Sequence, residues 1–202
     1  MIVIVDYGVG NVGSVANMLR KVGARARISA ASADIEAAEK LILPGVGHFG
    51  RGMSKLRQTG LVPLLDEQVR ARRKPVLGVC LGMQMMTRGS EEGGEAGLGW
   101  IDASTHRFPD MEALRVPHMG WNTVQPRGAA SLFAGAADEP ERFYFVHSYY
   151  VRTADPDHVA ASCSHGVPFT AAFQVNNIFG VQFHPEKSHL FGMDLFRRFI
   201  SL

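Results

Sequence analysis

The stretch "KPVLGVCLGMQMM", residues 74–86, joins an apolar run to a Leu- and Met-rich segment through a Gly-x-Cys-x-Gly core. "PVLGVC" has the composition of a buried strand, the residues after it favour a helix, and Gly78 and Gly82 flank Cys80 closely enough to allow a tight turn between the two. A strand that passes straight into a helix in this way is a unit of an open α/β sheet. The reactive residue at the turn has two readings: a small buried hydrophobe, or a nucleophile held at a strand-to-helix elbow. In the second, the N–H groups at the amino end of the following helix favour the thiolate, the form that attacks a carbonyl.

Upstream, the same alternation recurs. Short β-branched or Leu-rich runs ("IVIVD", "KLILPG") alternate with helix-period segments ("NVGSVANMLRKVG", "LVPLLDEQVRARR"), which predicts a parallel sheet with crossover helices. After about residue 97 the pattern changes to "RFYFVHSYYV", "HVAASCSH", "PFTAAFQV" and "IFGVQFHP", short strands separated by Gly, Pro and Asp and read as mixed or antiparallel additions. "HLFGMDLFRRFISL" closes the chain with an amphipathic helix. The expected fold class is therefore α/β: a three-layer, open, mostly parallel sheet flanked by helices, with additional mixed or antiparallel strands in the C-terminal half.

With 202 residues, 46% of them hydrophobic, and no linker or low-complexity segment, the chain is expected to form a single domain over residues 1–202. Lys and Arg number 21 against 19 Asp and Glu, and a net charge of +2 gives no ground for nucleic-acid binding. The basic run "RARRK" at 70–74 is read as closing a helix. Two cysteines, Cys80 and Cys163, without metal-ligand spacing, argue against a disulfide framework or a metal site and fit a reducing cytoplasm. "MIVIVDYG" meets Asp6 and Gly8 too early for a signal peptide or membrane span.

"GVGNVG" at 8–13 matches a dinucleotide-binding turn in its context after a strand and before a helix. The acidic residue that such a site needs at the end of the second strand is absent, because "ARARIS" ends in Ser29 and Asp34 follows in an expected loop. A plain glycine-rich turn and a ligand- or partner-facing loop remain open beside the nicotinamide reading.

"GVQFHPEKS" supplies what a cysteine nucleophile requires, a base and a group that orients it: His184 and Glu186, with Pro185 fixing the backbone between them. His106, His158, His165 and His189 are read as structural, and Cys163 as core. "LILPGVGHFG" at 41–50 ends a strand in a glycine-rich loop. Its backbone N–H groups, with that of Leu81, suit the oxyanion of a tetrahedral intermediate, although an ordinary turn has the same composition.

Taken together and in chain order, the Pro-Gly-x-Gly loop at 44–47, the Gly-x-Cys-x-Gly elbow at 78–82 and His-Pro-Glu at 184–186 resemble the motifs of the triad glutamine amidotransferases. "DYGVGNVGS", "GVCLGMQ", "PHMGWN", "FYFVHSYY" and "HPEKS" look like those of the glutaminase subunits of imidazole glycerol phosphate synthase. The resemblance implies that Cys80 attacks glutamine, His184 protonates the departing ammonia and Glu186 orients His184. It also implies that Val46 and Leu81 donate to the oxyanion, and that Gly47, Gln84 and the backbone of Ser148 and Tyr149 hold the substrate. No cofactor or metal is implied. The partner implied is a (β/α)₈ barrel cyclase in a heterodimer, docked on Asn11, Trp121, Tyr144 and Lys187, with neither nucleic acid nor membrane involved. Two other classes remain in view: a glutaminase serving another synthase, such as that for anthranilate or pyridoxal phosphate, and a non-catalytic α/β dinucleotide-binding or interaction module.

Overall fold

The computed structural model describes all residues except 113, 129 and 136–139. The first half runs β1 (Ile2–Val5), α1 (Val12–Lys21), β2 (Ala26–Ser29), α2 (Ser32–Ala37), β3 (Lys40–Leu43), α3 (Phe49–Gln58), α4 (Val62–Asp66, continued by a π turn over Glu67–Ala71), β4 (Val76–Val79) and α5 (Leu81–Met85). There follow β5 (Ala103–Arg107), β6 (His118–Thr123), β7 (Gln125–Pro126), β8 (Arg142–His147), β9 (Tyr149–Thr153), β10 (Val159–His165), β11 (Val167–Val175), β12 (Ile178–Val181) and α6 (His189–Ser201).

Strand alternation builds the layers. Ile2, Ile4, Ile42, Leu77 and Val79 point to one face, where they pack with Val15 and Leu19 of α1 and Leu195, Phe196 and Phe199 of α6. Val3, Val5, Leu41, Leu43 and Val76 point to the other, against Ile35, Phe49, Met53, Leu56, Leu65 and Val69. Strands β1, β3 and β4 are thus buried on both faces, and their sequences read as continuous apolar runs, as a covered parallel sheet requires, whereas β2 at the sheet edge is partly exposed.

The sheet order is β2-β1-β3-β4-β12-β11-β10-β7, with β9 joining β11 and β5 joining β9. Strands β1, β2, β3, β4 and β12 pair in parallel, whereas β11, β10, β7, β9 and β5 add to them antiparallel. A separate antiparallel pair, β6–β8, carries "HMGWNT" against "RFYFVH". The expected mostly parallel sheet with later mixed strands is what forms. The arrangement has one consequence for chemistry: β12, late in sequence, inserts beside β4, so the loops after β1, β3, β4 and β12 all leave the same edge of the sheet, where open α/β folds bind their ligands. Among the described residues no helix is long and apolar enough to cross a membrane.

Candidate active site

The chain leaves β4 at Cys80, whose N–H continues the ladder by donating to the Val181 carbonyl at 2.8 Å. Its φ of +53° is rare for a residue with a side chain and marks a strained elbow. The two flanking glycines are obligatory in different degrees. A Cβ on Gly82 would lie 1.8 Å from the Leu43 carbonyl oxygen, and one on Gly78 2.7 Å from the Met83 nitrogen. Helix α5 is only five residues long, so favourable electrostatics at the thiol come from the unpaired N–H groups of its first turn, among them that of Leu81, rather than from a long macrodipole.

His184 and Glu186 follow β12, held in a 3-10 turn over Pro185–Lys187. His184 Nδ1 donates to Glu186 Oε1 at 2.8 Å, with both side chains only 1% exposed. That bond leaves Nε2 as the working nitrogen. Among the described residues Nε2 is buried without a hydrogen-bond partner, and His184 lines the same cleft as Cys80. Burial by itself would depress the imidazole pKa. The negative charge that Cys80 carries when it is ionised, and then Glu186, outweigh it, and the pKa is raised to about 10. The turn is clamped by Ser188, whose hydroxyl donates to the His184 carbonyl at 2.6 Å and accepts the Tyr144 N–H at 3.0 Å. Sequence reading passed over Ser188.

The loop after β3, Pro44 to Gly47, lies against the elbow: a Cβ on Gly45 would stand 2.7 Å from the Gly82 nitrogen. Gly47 has φ of +90°, with open space around the missing Cβ. Tyr7, a residue the sequence did not single out, donates its hydroxyl to the Pro44 carbonyl at 2.6 Å. Gly10, with φ of +114°, brings the loop after β1 to the same point, since a Cβ there would be 3.1 Å from that of Pro44. Of the readings open for "GVGNVG", the structure favours a turn whose glycine packs on the Pro44 loop and whose Asn11 reaches the cleft.

These elements surround a cleft of about 720 Å³. Asn11, Val46, Gly47, Cys80, Leu81, Gln84, Ser148, Tyr149, His184 and Lys187, all singled out from sequence, line it together with His48, Glu92 and His147, which were not. Glu186 stands behind His184. Trp121 and Tyr144 lie beyond the rim in a connected strip: Lys187 Nζ sits 5.7 Å from the centre of the Tyr144 ring, Tyr144 meets Trp121 edge-on at 6.4 Å, and Trp121 stacks on His189 at 5.7 Å. Trp121 is 40% exposed and Met119, on the same face of β6, 62%.

Hydrogen bonds restrict what each polar residue can offer a ligand. Gln84 Nε2 donates both to the Tyr149 carbonyl at 2.9 Å and to Gln182 Oε1 at 3.0 Å, which leaves Gln84 Oε1 as its free acceptor. The Tyr149 carbonyl also accepts from His147 Nδ1 at 2.8 Å, so both its lone pairs are used. The Ser148 carbonyl accepts the Phe108 N–H at 3.1 Å. With the Tyr149 carbonyl fully engaged and that of Ser148 partly so, the backbone N–H groups of this segment are what it can best offer a ligand. Behind it, His147 Nε2 pairs with His118 Nδ1 at 2.9 Å, and His118 stacks on His165 with ring centres 4.2 Å apart. Burial holds His118 at about 4 and His147 at about 3. The histidines read as structural have local partners: His106 pairs with Glu91, His158 with Asp155, His165 with the Arg115 carbonyl, and His189 stacks on Trp121. Cys163 is buried in the core, and burial pushes its thiol up to about 11.

Comparison with known proteins agrees with this geometry. Residues 3–201 match the family model for glutamine amidotransferase class-I. Over 202 residues and the whole of both chains, the sequence is 57% identical to imidazole glycerol phosphate synthase subunit HisH 2 of Pseudomonas aeruginosa. It is 47% identical to the protein of that same name from Methanococcus maripaludis, covering all of this chain and 99% of the other. A crystal structure of a glutamine amidotransferase superimposes with a TM-score of 0.77 at 17% identity, covering 100% of this chain and 98% of that one. The structure of PurLQS from Thermotoga maritima gives 0.73 at 17%, covering 99% and 97%. These two likenesses bear on the fold. The chain belongs to the class-I glutamine amidotransferases and, within them, to the HisH subunits of imidazole glycerol phosphate synthase.

Proposed function

We propose that the chain hydrolyses glutamine to glutamate and ammonia through a cysteinyl thioester, with Cys80 as nucleophile, His184 as acid and base, and Glu186 holding the ring of His184. The observation that carries this reading is that the Cys80 elbow, the His184–Glu186 pair and the Pro44–Gly47 loop meet in one cleft, although they come from widely separated stretches of sequence. In the first step the thiolate attacks the side-chain carbonyl carbon, and the carbonyl electrons move to oxygen, where the N–H groups of Val46 and Leu81 receive the charge. Collapse breaks the C–N bond, and the leaving nitrogen takes the proton from His184 Nε2. Water, giving a proton back to His184, then cleaves the thioester and frees glutamate and the thiolate. Gln84 Oε1 and the N–H groups near Gly47, Ser148 and Tyr149 hold the amino-acid end of glutamine.

Ammonia released into neutral water is mostly protonated and loses its nucleophilic lone pair, so a synthase gains by taking it directly. The receiving partner in this reading is the (β/α)₈ barrel cyclase that makes imidazole glycerol phosphate and aminoimidazole carboxamide ribotide in histidine biosynthesis. It docks over the strip from Asn11 and Lys187 through Tyr144 to Trp121, where a half-exposed Trp beside Met119 offers an aromatic anchor. The whole chain is read as one amidotransferase domain in a cytoplasmic heterodimer, a compartment that keeps both thiols reduced.

A glutaminase left permanently active would waste glutamine, and one peptide flip at Val46, between Gly45 and Gly47, is a simple switch. Losing one oxyanion donor lowers the rate by about 10²- to 10³-fold. The test is steady-state glutamate release by the chain alone, with the barrel cyclase, and with barrel cyclase plus ribonucleotide. The rate is expected to be lowest alone and to rise by about two to three orders of magnitude in the full complex. Equal rates in all three would remove the switch, and Val46→Pro, which deletes the N–H, should flatten the response.

A further inference from the structure

We propose that Gln182 positions the nucleophile, its side-chain amide donating a hydrogen bond to the Cys80 sulfur while its oxygen fixes Gln84; the inference rests on Cys80 being the reacting thiol. Gln182 immediately follows β12, two residues before His184, and is wholly buried. A fully buried amide must spend its polar atoms on partners, and here those partners lie in the site itself.

The direction of the hydrogen bonds follows from one atom that has no choice. The Tyr149 carbonyl can only accept, so the Gln84 atom 2.9 Å from it is the amide nitrogen. That same nitrogen lies 3.0 Å from the Gln182 side chain, which must present its oxygen there. The Gln182 nitrogen is then the atom facing Cys80 Sγ at 3.7 Å, a donor to sulfur. A backbone carbonyl of β9 thus orients two buried amides in series, and the chain ends with an N–H aimed at the thiol.

Such a donor stabilises a thiolate more than a thiol, because the charged sulfur is the stronger acceptor. It also restrains Sγ in the elbow while the thioester forms and breaks. The second half of the role concerns substrate: with its nitrogen held by Gln182 and Tyr149, Gln84 keeps its oxygen turned to the cleft.

Two substitutions separate these roles. Gln182→Glu keeps an acceptor for Gln84 but puts a carboxylate where the donor was. Gln182→Met removes donor and acceptor together at similar volume, without adding charge. The primary readout is site-resolved iodoacetamide alkylation of Cys80 against pH, followed by mass spectrometry in the heterodimer, with Cys163 alkylation scored separately. The alkylation midpoint should rise by about one pH unit in Gln182→Met, tenfold less thiolate at pH values below both midpoints, and further in Gln182→Glu. Gln182→Met should also raise KM for glutamine, through release of Gln84, whereas Gln182→Glu should act mainly on kcat. A midpoint in folded Gln182→Met equal to that of the unsubstituted chain would overturn the proposal. Alkylation needs no turnover, so this failure is distinct from failure of the nucleophile assignment, which would show as glutamate release persisting in Cys80→Ala.

Discussion

Tyr7 donates its hydroxyl to the Pro44 carbonyl at 2.6 Å, tying the loop that leaves β1 to the loop that leaves β3. Burial, and then the charge on Cys80, push the phenol pKa well above its ordinary value, so the hydroxyl stays a donor throughout the working pH range. Tyr7→Phe leaves the Pro44 carbonyl without this partner in a buried setting. Stability should fall by about 1–3 kcal/mol in urea unfolding, and partner-stimulated glutamate release should fall with it as the loop loosens. Unchanged stability and rate would show that the Pro44 loop is held by other contacts.

Gly82 and Gly47 separate steric need from conformational need. Gly82→Ala would force a Cβ to within 1.8 Å of a backbone oxygen, and no rotamer change relieves that contact. It should fail to give soluble, active protein. Gly47→Ala meets no atoms but keeps φ near +90°, so it should fold at a cost of about 1–2 kcal/mol. Thermal melts and soluble yield of the two variants make the comparison; equal tolerance would mean that the elbow can shift away from β3.

His118 and His147 should make the fold sensitive to acid. Burial is the chief cause of their low values, about 4 and about 3, while in the unfolded chain each titrates near 6.5. Between those values the unfolded state binds more protons. The stability associated with the neutral rings is thus complete above about 6.5 and is lost as pH falls towards 4. Urea unfolding at a series of pH values should show this loss, and His118→Gln should reduce its slope.

His184 has the opposite sign. Its raised pKa of about 10 means that the folded chain holds a proton which the unfolded chain releases, so its contribution is full below about 6.5 and lost as pH rises through 10. Cys80 supplies the largest upward influence. In Cys80→Ala the His184 titration, followed by ring-proton NMR, should therefore move down; an unmoved titration would show that Glu186 alone keeps the ring charged.

Local signals made much of this legible. The strand runs, the glycine spacing around Cys80 and the His-Pro-Glu turn are short-range patterns, and each forms where its residues predict. What the residues alone could not reveal depends on sheet order. Because β12 lies between β4 and β11, Gln182 reaches Cys80 and Gln84, yet nothing in "GVQFHPE" distinguishes this glutamine from any strand-end polar residue. Tyr7 likewise looks like a core aromatic until β1 is placed beside β3. The histidine pair was hidden because His118 and His147 come from different strands, β6 and β8, and only their antiparallel register sets them opposite one another. The substrate-holding parts proposed for Gln84, Ser148 and Tyr149 come from family resemblance alone; the hydrogen bonds leave Gln84 Oε1 as the free acceptor of that side chain.

The measurement that bears most directly on the thioester mechanism uses Cys80→Ala in complex with the barrel cyclase, assayed twice: with glutamine, and with ammonium salt at alkaline pH. A small side chain at a turn contributes little packing but all of the covalent chemistry, so glutamate release should vanish while free ammonia sustains cyclase turnover. Glutamate release persisting in Cys80→Ala, or a complex with active cyclase that ammonia does not rescue, would contradict the account.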